Sequence, residues 1–163
     1  MIDAPASTTT AVSRPFLAIA IGGLMAGTLD LGQAIVLFGA KIPLAIAAGL
    51  LGPRAFNGGV ATYFLGVLLH FFIALSATAI YFAASRKLRF LTEFPLVCGL
   101  FFGAAVELVM RLIVLPLSAL HSSGPYEYRD LVQGLLVHMV IVGLPIAFSM
   151  RWLARAAKPR FES

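Results

Sequence analysis

Glu107 and Arg111 are two ionisable residues in the middle of a run of apolar residues that is long enough to cross a bilayer. A charged side chain at membrane depth costs about 3 kcal/mol on insertion scales, so the presence of two charges needs a physical reason. Their i, i+4 spacing places both on one helical face, where they can form an ion pair. Such a pair lowers the cost of burial and can belong to a polar site inside the membrane.

Three further ionisable residues, Asp30, His70 and His138, lie in the other apolar runs of the chain. Because an α-helix rises about 1.5 Å per residue, each depth can be counted from the end of the run that lies away from the chain termini. The depths are about 12 Å for Asp30, about 15 Å for His70 and Glu107, about 9 Å for Arg111 and about 10 Å for His138. We therefore expect the five side chains to meet at one level, in the half of the membrane away from the termini.

Each of these residues also lies on a face of small residues in its own run. Small residues let membrane helices approach one another closely, so these faces should turn toward the interior of a bundle and not toward lipid. The small residues are Gly23, Gly27 and Ala34 around Asp30, Gly66 and Ala74 around His70, Gly99 and Gly103 before Glu107, and Gly134 before His138.

The elements that position these residues are four apolar runs. The chain has 163 residues, of which 60% are hydrophobic and 12% charged, whereas a soluble domain is about one quarter charged. We predict an all-α polytopic membrane protein, a four-transmembrane-helix bundle with a short interfacial or re-entrant helix between helices 1 and 2. Residues 1–15 are predicted to form a disordered tail, 16–150 the membrane domain with spans at about 16–38, 60–84, 95–117 and 131–150, and 151–163 a basic cytoplasmic tail.

The two sides of the predicted bundle differ in positive charge. Eight Lys and Arg residues lie on the side of both termini and three on the other side, with Arg111 inside the membrane. Cytoplasmic segments carry the excess of Lys and Arg, so we predict a multi-pass protein of the bacterial inner membrane with both termini in the cytoplasm. This orientation explains the net charge of +5 without nucleic-acid binding.

Four interpretations of the five ionisable residues are open. They can be interhelical contacts that only hold the bundle together. They can bind or sense a proton or a small polar ligand, because neighbouring histidines and carboxylates titrate as a coupled set and histidine changes charge near physiological pH. His70 and His138 can be the axial ligands of a b-type haem. They can also hold one metal ion with a carboxylate, although the positive charge of Arg111 disfavours that site.

Known catalytic signatures are missing from the sequence: Gly-x-Ser-x-Gly, the P-loop, His-Glu-x-x-His and Cys-x-x-Cys. The single cysteine, Cys98, excludes an intrachain disulfide and a multi-cysteine metal site. We therefore expect no catalytic residues and no metal, with haem b as the one alternative cofactor. The expected protein is a small accessory subunit or a stress-related protein, whose partners are the bilayer and a larger membrane complex or homo-oligomer.

Several segments resemble the YagU-like family of uncharacterised four-helix bacterial inner-membrane proteins. They are residues 22–27 (GGLMAG), 69–72 (LHFF), 109–120 (VMRLIVLPLSAL) and 134–138 (GLLVH). The resemblance implies an inner-membrane location and an association with acid resistance, which suits a histidine–carboxylate cluster but assigns no reaction. In that family the position matching Glu107 is not reliably acidic, which implies that the Glu107–Arg111 pair is particular to this protein.

Overall fold

The computed structural model describes residues 14–122, 124–125 and 127–156, and this part of the chain is helical and contains no strands. Four of its helices are long and apolar enough to span a membrane, as predicted: Arg14–Phe38 (α1), Gly59–Ser85 (α3), Pro95–Leu117 (α5) and Tyr128–Ala156 (α6). The shorter helices are Ile42–Leu51 (α2), which precedes a 3₁₀ turn at Pro53–Asn57, and Phe90–Glu93 (α4). Of the predicted tails at residues 1–15 and 151–163, residues 1–13 and 157–163 lie outside the described residues, whereas 14–15 belong to α1 and 151–156 belong to α6.

The spanning helices pack side by side in the order α3, α1, α6, α5, so α1 and α6 form the centre of the bundle. We call the end that carries Arg14 and Ala156 the terminal end, and the opposite end, with Phe38 and Tyr128, the distal end. The main buried cluster lies toward the terminal end and consists of small and aliphatic residues around the ring of Tyr81. Close packing of small residues is the typical way to hold helices together in a membrane, where apolar burial gives no driving force between them.

Glycines allow α5 and α6 to cross in backbone contact. A methyl group at Gly103 would overlap the backbone carbonyl of His138, and a methyl group at Gly143 would overlap the carbonyl of Gly99. The predicted small-residue face of the third span therefore does meet the fourth span. The contact places the backbone of His138 directly against α5, one turn before Glu107 on that helix.

Both α5 and α6 contain one π-helical segment immediately before a Leu-Pro pair. In α5 the segment is Met110–Val114, followed by Pro116, and in α6 it is His138–Gly143, followed by Pro145. A proline lacks the N–H for a regular i→i−4 bond, and its ring clashes with the carbonyl of residue i−4. A locally wider helical turn removes that clash, so the prolines explain where the two π segments lie.

The short helix α2 lies between the first two spanning helices in the chain and packs against α3, in agreement with the predicted short helix. Its beginning meets Gly66, where a methyl group would overlap the backbone carbonyl of Pro43. In its last turn, the carbonyl of Gly49 accepts a hydrogen bond from the N–H of Ala119, which follows α5 (2.8 Å). Helix α2 therefore connects α3 to the distal end of α5.

Candidate functional site

The centre of the site is Glu107, the most deeply buried charged residue in the described part of the chain, at 4% exposure. Arg111, one turn later on α5, donates a hydrogen bond from Nε to the Oε1 atom of Glu107. From α6, Nδ1 of His138 lies 3.2 Å from the Oε2 atom of the same carboxylate. Each carboxylate oxygen therefore faces a nitrogen donor, and the predicted ion pair of Glu107 and Arg111 is present.

Arg111 also connects α5 to the first turn of α6. Its Nη2 donates a hydrogen bond to the backbone carbonyl of Asp130 (2.9 Å). Gly134, one turn further along α6, leaves room for the pair, because a methyl group there would overlap the Glu107 carboxylate and lie 2.8 Å from Arg111 Nη2. The glycine that the sequence places on the face of His138 is thus required by the volume of the ion pair.

The surroundings of His138 determine which ring nitrogen carries the proton. Its Nδ1 lies 3.0 Å from the backbone carbonyl of Gly134 as well as 3.2 Å from Glu107. Both of these atoms are acceptors, so Nδ1 must be the donor and carry a hydrogen. The neutral ring is therefore the Nδ1–H tautomer, and Nε2 is the nitrogen that can take up a further proton.

Asp30 and His70 form a second polar contact, between α1 and α3. Nε2 of His70 lies 2.8 Å from the backbone carbonyl of Gly27 and 4.0 Å from Oδ2 of Asp30. Because the carbonyl is an acceptor, Nε2 of His70 carries the hydrogen and donates it to Gly27. Asp30 is thus near His70 at ion-pair distance, while the histidine's hydrogen bond goes to the backbone of α1.

A cavity of about 300 Å³ at the distal end is lined by Glu107, Arg111 and His138 of the first contact and by Asp30 of the second. Its polar lining comes from three helices and contains three carboxylates and one guanidinium. With His138 neutral, the formal charge of these groups is negative. The polar lining residues are Asp30 and Gln33 from α1, Glu107 and Arg111 from α5, and Asp130, Gln133 and His138 from α6.

Four of the five predicted site residues line this cavity. The fifth, His70, lies next to Asp30 but is not part of the lining. The sequence analysis did not identify Gln33 and Gln133 as site residues. Gln33 is three residues after Asp30, and Gln133 is three residues after Asp130. A search for polar residues at i, i+3 spacing on the ionisable faces would have found both.

Two observations bear on the metal and haem interpretations. No three His, Cys, Asp or Glu side chains within residues 14–122, 124–125 and 127–156 are arranged to hold a metal ion. His70 and His138 each use one ring nitrogen for a backbone carbonyl, which leaves the other nitrogen of each ring able to act as a ligand. Of the two histidines, only His138 lines the cavity. The haem alternative stays a prediction, which the absorption spectrum of protein from haem-replete cells tests through its Soret band.

No protein-family model matches the chain, and searches of curated proteins and of solved structures found no match either. The resemblance to the YagU-like family stays a prediction.

Proposed function

We propose that this chain is a non-enzymatic protein of the bacterial inner membrane whose distal cavity binds or senses a proton or a small polar ligand from the periplasmic side. The observation that carries the proposal is the buried Glu107, bound by Arg111 and His138 at the wall of a polar cavity. In this proposal the protein is an accessory subunit or a stress-related protein. A larger membrane complex or homo-oligomer remains the expected partner.

The charge of the cavity favours a ligand that brings positive charge. The Glu107–Arg111 pair is neutral as a unit, which leaves Asp30 and Asp130 as carboxylates in the lining. A proton or a small ammonium or guanidinium compound would complement these two groups, whereas an anion of similar size would be repelled. Gln33 and Gln133 add amide groups that can hydrogen-bond a polar ligand.

The contacts of His138 provide a way to sense such a charge. A proton taken up at Nε2 places a second positive charge beside Glu107, so the cluster of Glu107, Arg111 and His138 changes from neutral to positive and the two cations repel each other. Arg111 also binds the backbone of Asp130 in the first turn of α6. A change of charge at His138 can therefore affect the distal end of α6 through the hydrogen bond from Arg111 to Asp130.

The remainder of the bundle interior favours a binding or sensing role over transport. The buried side chains toward the terminal end that carry a hydroxyl group are Thr78, Tyr81 and Ser149, and each donates its hydroxyl hydrogen to a backbone carbonyl. In the described residues, Glu107 is the one buried side chain that is acidic, basic or histidine. A proton path through the bundle would need further such groups at that end.

The test is thermal unfolding of the purified protein in nanodiscs, between about pH 5 and pH 8, with and without small ammonium and guanidinium compounds. We expect these cations to raise the unfolding temperature of the wild type, while carboxylate compounds at equal ionic strength do not. Asp30→Asn should reduce the effect of the cations, and Glu127→Gln, which removes an exposed carboxylate at the distal end, should not.

The pH series tests the sensing part of the proposal. His138→Gln should change the dependence of the unfolding temperature on pH, because it removes the nitrogen that accepts the proton. An unchanged pH dependence, together with no effect of any cation on the wild type, would contradict the proposal. In that case the five residues would serve only to hold the helices together.

A further inference from the structure

A second polar cavity, of about 890 Å³, lies at the terminal end and is strongly basic. It is bordered by the ends of α1, α3 and α6 and by the segment around α4. Five arginines line it and a single carboxylate, that of Glu93, accompanies them. We name it the arginine pocket; its arginines are Arg14, Arg86, Arg89, Arg151 and Arg155.

Three of the five arginines contact uncharged groups, namely two backbone carbonyls and one aromatic ring. Nη1 of Arg14 donates to the carbonyl of Ala156 (2.6 Å), and Nη1 of Arg151 donates to the carbonyl of Glu93 (2.7 Å). The guanidinium of Arg86 lies 6.0 Å from the centre of the Phe82 ring. The ion pairs found within the described residues all lie at the distal end.

The positive-inside rule explains an excess of Lys and Arg on one side of a membrane but does not require a shared pocket. Here all five basic residues in the lining are arginine, and they come from three separate stretches of the chain. Like charges gathered around one cavity repel one another, so an anion in the cavity would stabilise the arrangement. The planar guanidinium binds the oxygens of a phosphate through two parallel hydrogen bonds, which a lysine cannot do.

The arginine pocket is positively charged and also lies at the level of the membrane at which lipid headgroups are expected. It lies at the ends of the spanning helices, where headgroups meet a membrane protein, and basic pockets between such helices bind anionic headgroups. Its lining also includes the partly exposed apolar side chains of Phe82 and Leu153, which the glycerol and upper acyl region can contact. Trp152, half exposed in the adjacent turn of α6, is of the type that marks the membrane interface.

We propose that the arginine pocket binds the phosphate of an anionic phospholipid in the leaflet at the terminal end. The site is separate from the distal cavity and does not depend on the function proposed for it. A soluble phosphate compound offers the same charged oxygens, so the experiment must distinguish the two sources.

The experiment is native mass spectrometry of the full chain in a non-ionic detergent, with added phosphatidylglycerol, cardiolipin or phosphatidylcholine, and separately with glycerol phosphate. The test variant is Arg89→Gln combined with Arg155→Gln. The control is Arg54→Gln combined with Arg129→Gln, which removes the same charge from the distal end. We expect the wild type and the control to retain anionic lipid, and the test variant to bind it about tenfold or more weakly.

Equal binding of anionic lipid by the test variant and the control would overturn the proposal, as would phosphatidylcholine binding as tightly as phosphatidylglycerol. Binding of glycerol phosphate without any preference for lipid would assign the pocket to a soluble phosphate and also overturn it. Circular dichroism checks that each variant is folded. If the double variant does not fold, Arg86→Gln is compared with Arg54→Gln alone, and Arg86→Gln should again bind anionic lipid more weakly than this control.

Discussion

At the scale of single residues, the site is determined by one carboxylate that two helices neutralise together. Glu107 receives one donor from its own helix and one from α6, and it is almost completely buried. Removing one partner from a buried pair leaves a charge without compensation, which costs more than removing both. The ion pair is thus a requirement for stability as well as a part of the proposed site.

We predict that Arg111→Met lowers the free energy of unfolding by about 3–5 kcal/mol, because the Glu107 carboxylate stays buried with His138 as its remaining partner. Glu107→Gln combined with Arg111→Met should cost less than the sum of the two single substitutions, since the double variant has no buried charge at these positions. Denaturant unfolding in micelles measures these differences.

Arg129→Met, at an exposed position of the distal end, is the control for the loss of a positive charge. It should change the free energy of unfolding by no more than about 0.5 kcal/mol. If Arg111→Met changed the free energy of unfolding as little as this control does, the Glu107–Arg111 pair would behave as a solvated surface pair and not as a buried one.

We also predict that neutral His138 is the Nδ1–H tautomer, because two acceptors face Nδ1. Long-range proton–nitrogen NMR spectra of the ¹⁵N-histidine protein in nanodiscs measure this directly. His70 should show the opposite tautomer, with the hydrogen on Nε2, since that atom donates to Gly27. Detection of an Nε2–H form at His138 would mean that Glu107 is not its partner.

At the scale of elements, two prolines and a few glycines place the site residues. The π segment that precedes Pro116 contains Arg111. The π segment that precedes Pro145 begins at His138. A wider turn changes the direction in which the side chains of a helix project, and π segments occur frequently at functional sites. The Leu-Pro pairs are therefore part of the reason that α5 and α6 present Arg111 and His138 to the same carboxylate.

Gly134 offers a specific test of this packing. We predict that Gly134→Ala lowers the free energy of unfolding by about 1–3 kcal/mol, because the added methyl group overlaps the Glu107 carboxylate. Gly32→Ala is the matched control, since a methyl group at Gly32 would have no atom within 4 Å. That control should be neutral or stabilising by up to about 1 kcal/mol, as expected for alanine in a helix.

Both glycine variants are compared by the same denaturant titration in micelles. The ¹⁵N-histidine spectrum of Gly134→Ala should also show an altered His138 signal, because its Nδ1 lies between Gly134 and Glu107. Equal stability of Gly134→Ala and Gly32→Ala would show that the ion pair can move aside at little cost.

At the scale of the whole molecule, the two ends carry opposite charge patterns. The distal cavity has more carboxylates than guanidinium groups, and the arginine pocket at the terminal end has five arginines and one carboxylate. This asymmetry supports the orientation in which the terminal end faces the cytoplasm, where Lys and Arg are in excess.

Labelling of single cysteines in intact cells tests the orientation. In a Cys98→Ser background, we expect Ser122→Cys, in the exposed distal loop, to react with a membrane-impermeant maleimide. Lys87→Cys, exposed at the terminal end, should react only after the cells are permeabilised. Cys98→Ser alone is the control for background labelling. The reverse pattern would place the distal cavity on the cytoplasmic side and contradict the proposed direction of ligand entry.

The sequence by itself determined the number of spanning helices, the short helix α2 and the pairing of Glu107 with Arg111. These features depend on the length of apolar runs and on the 3.6-residue period of the helix, which are local properties. The common level of the ionisable residues stays a prediction of the same kind, because a constant rise per residue converts sequence position into depth.

Only the tertiary structure decided how the polar residues are divided among partners. Depth is a single coordinate, and it placed His70 and His138 near the same level without saying which helices are neighbours. His138 contacts Glu107 because α5 packs against α6. His70 lies near Asp30 because α3 packs against α1, and it is not part of the cavity lining. Lateral order arises from contacts between residues far apart in sequence, and the periodicity of one helix carries no information about its neighbours.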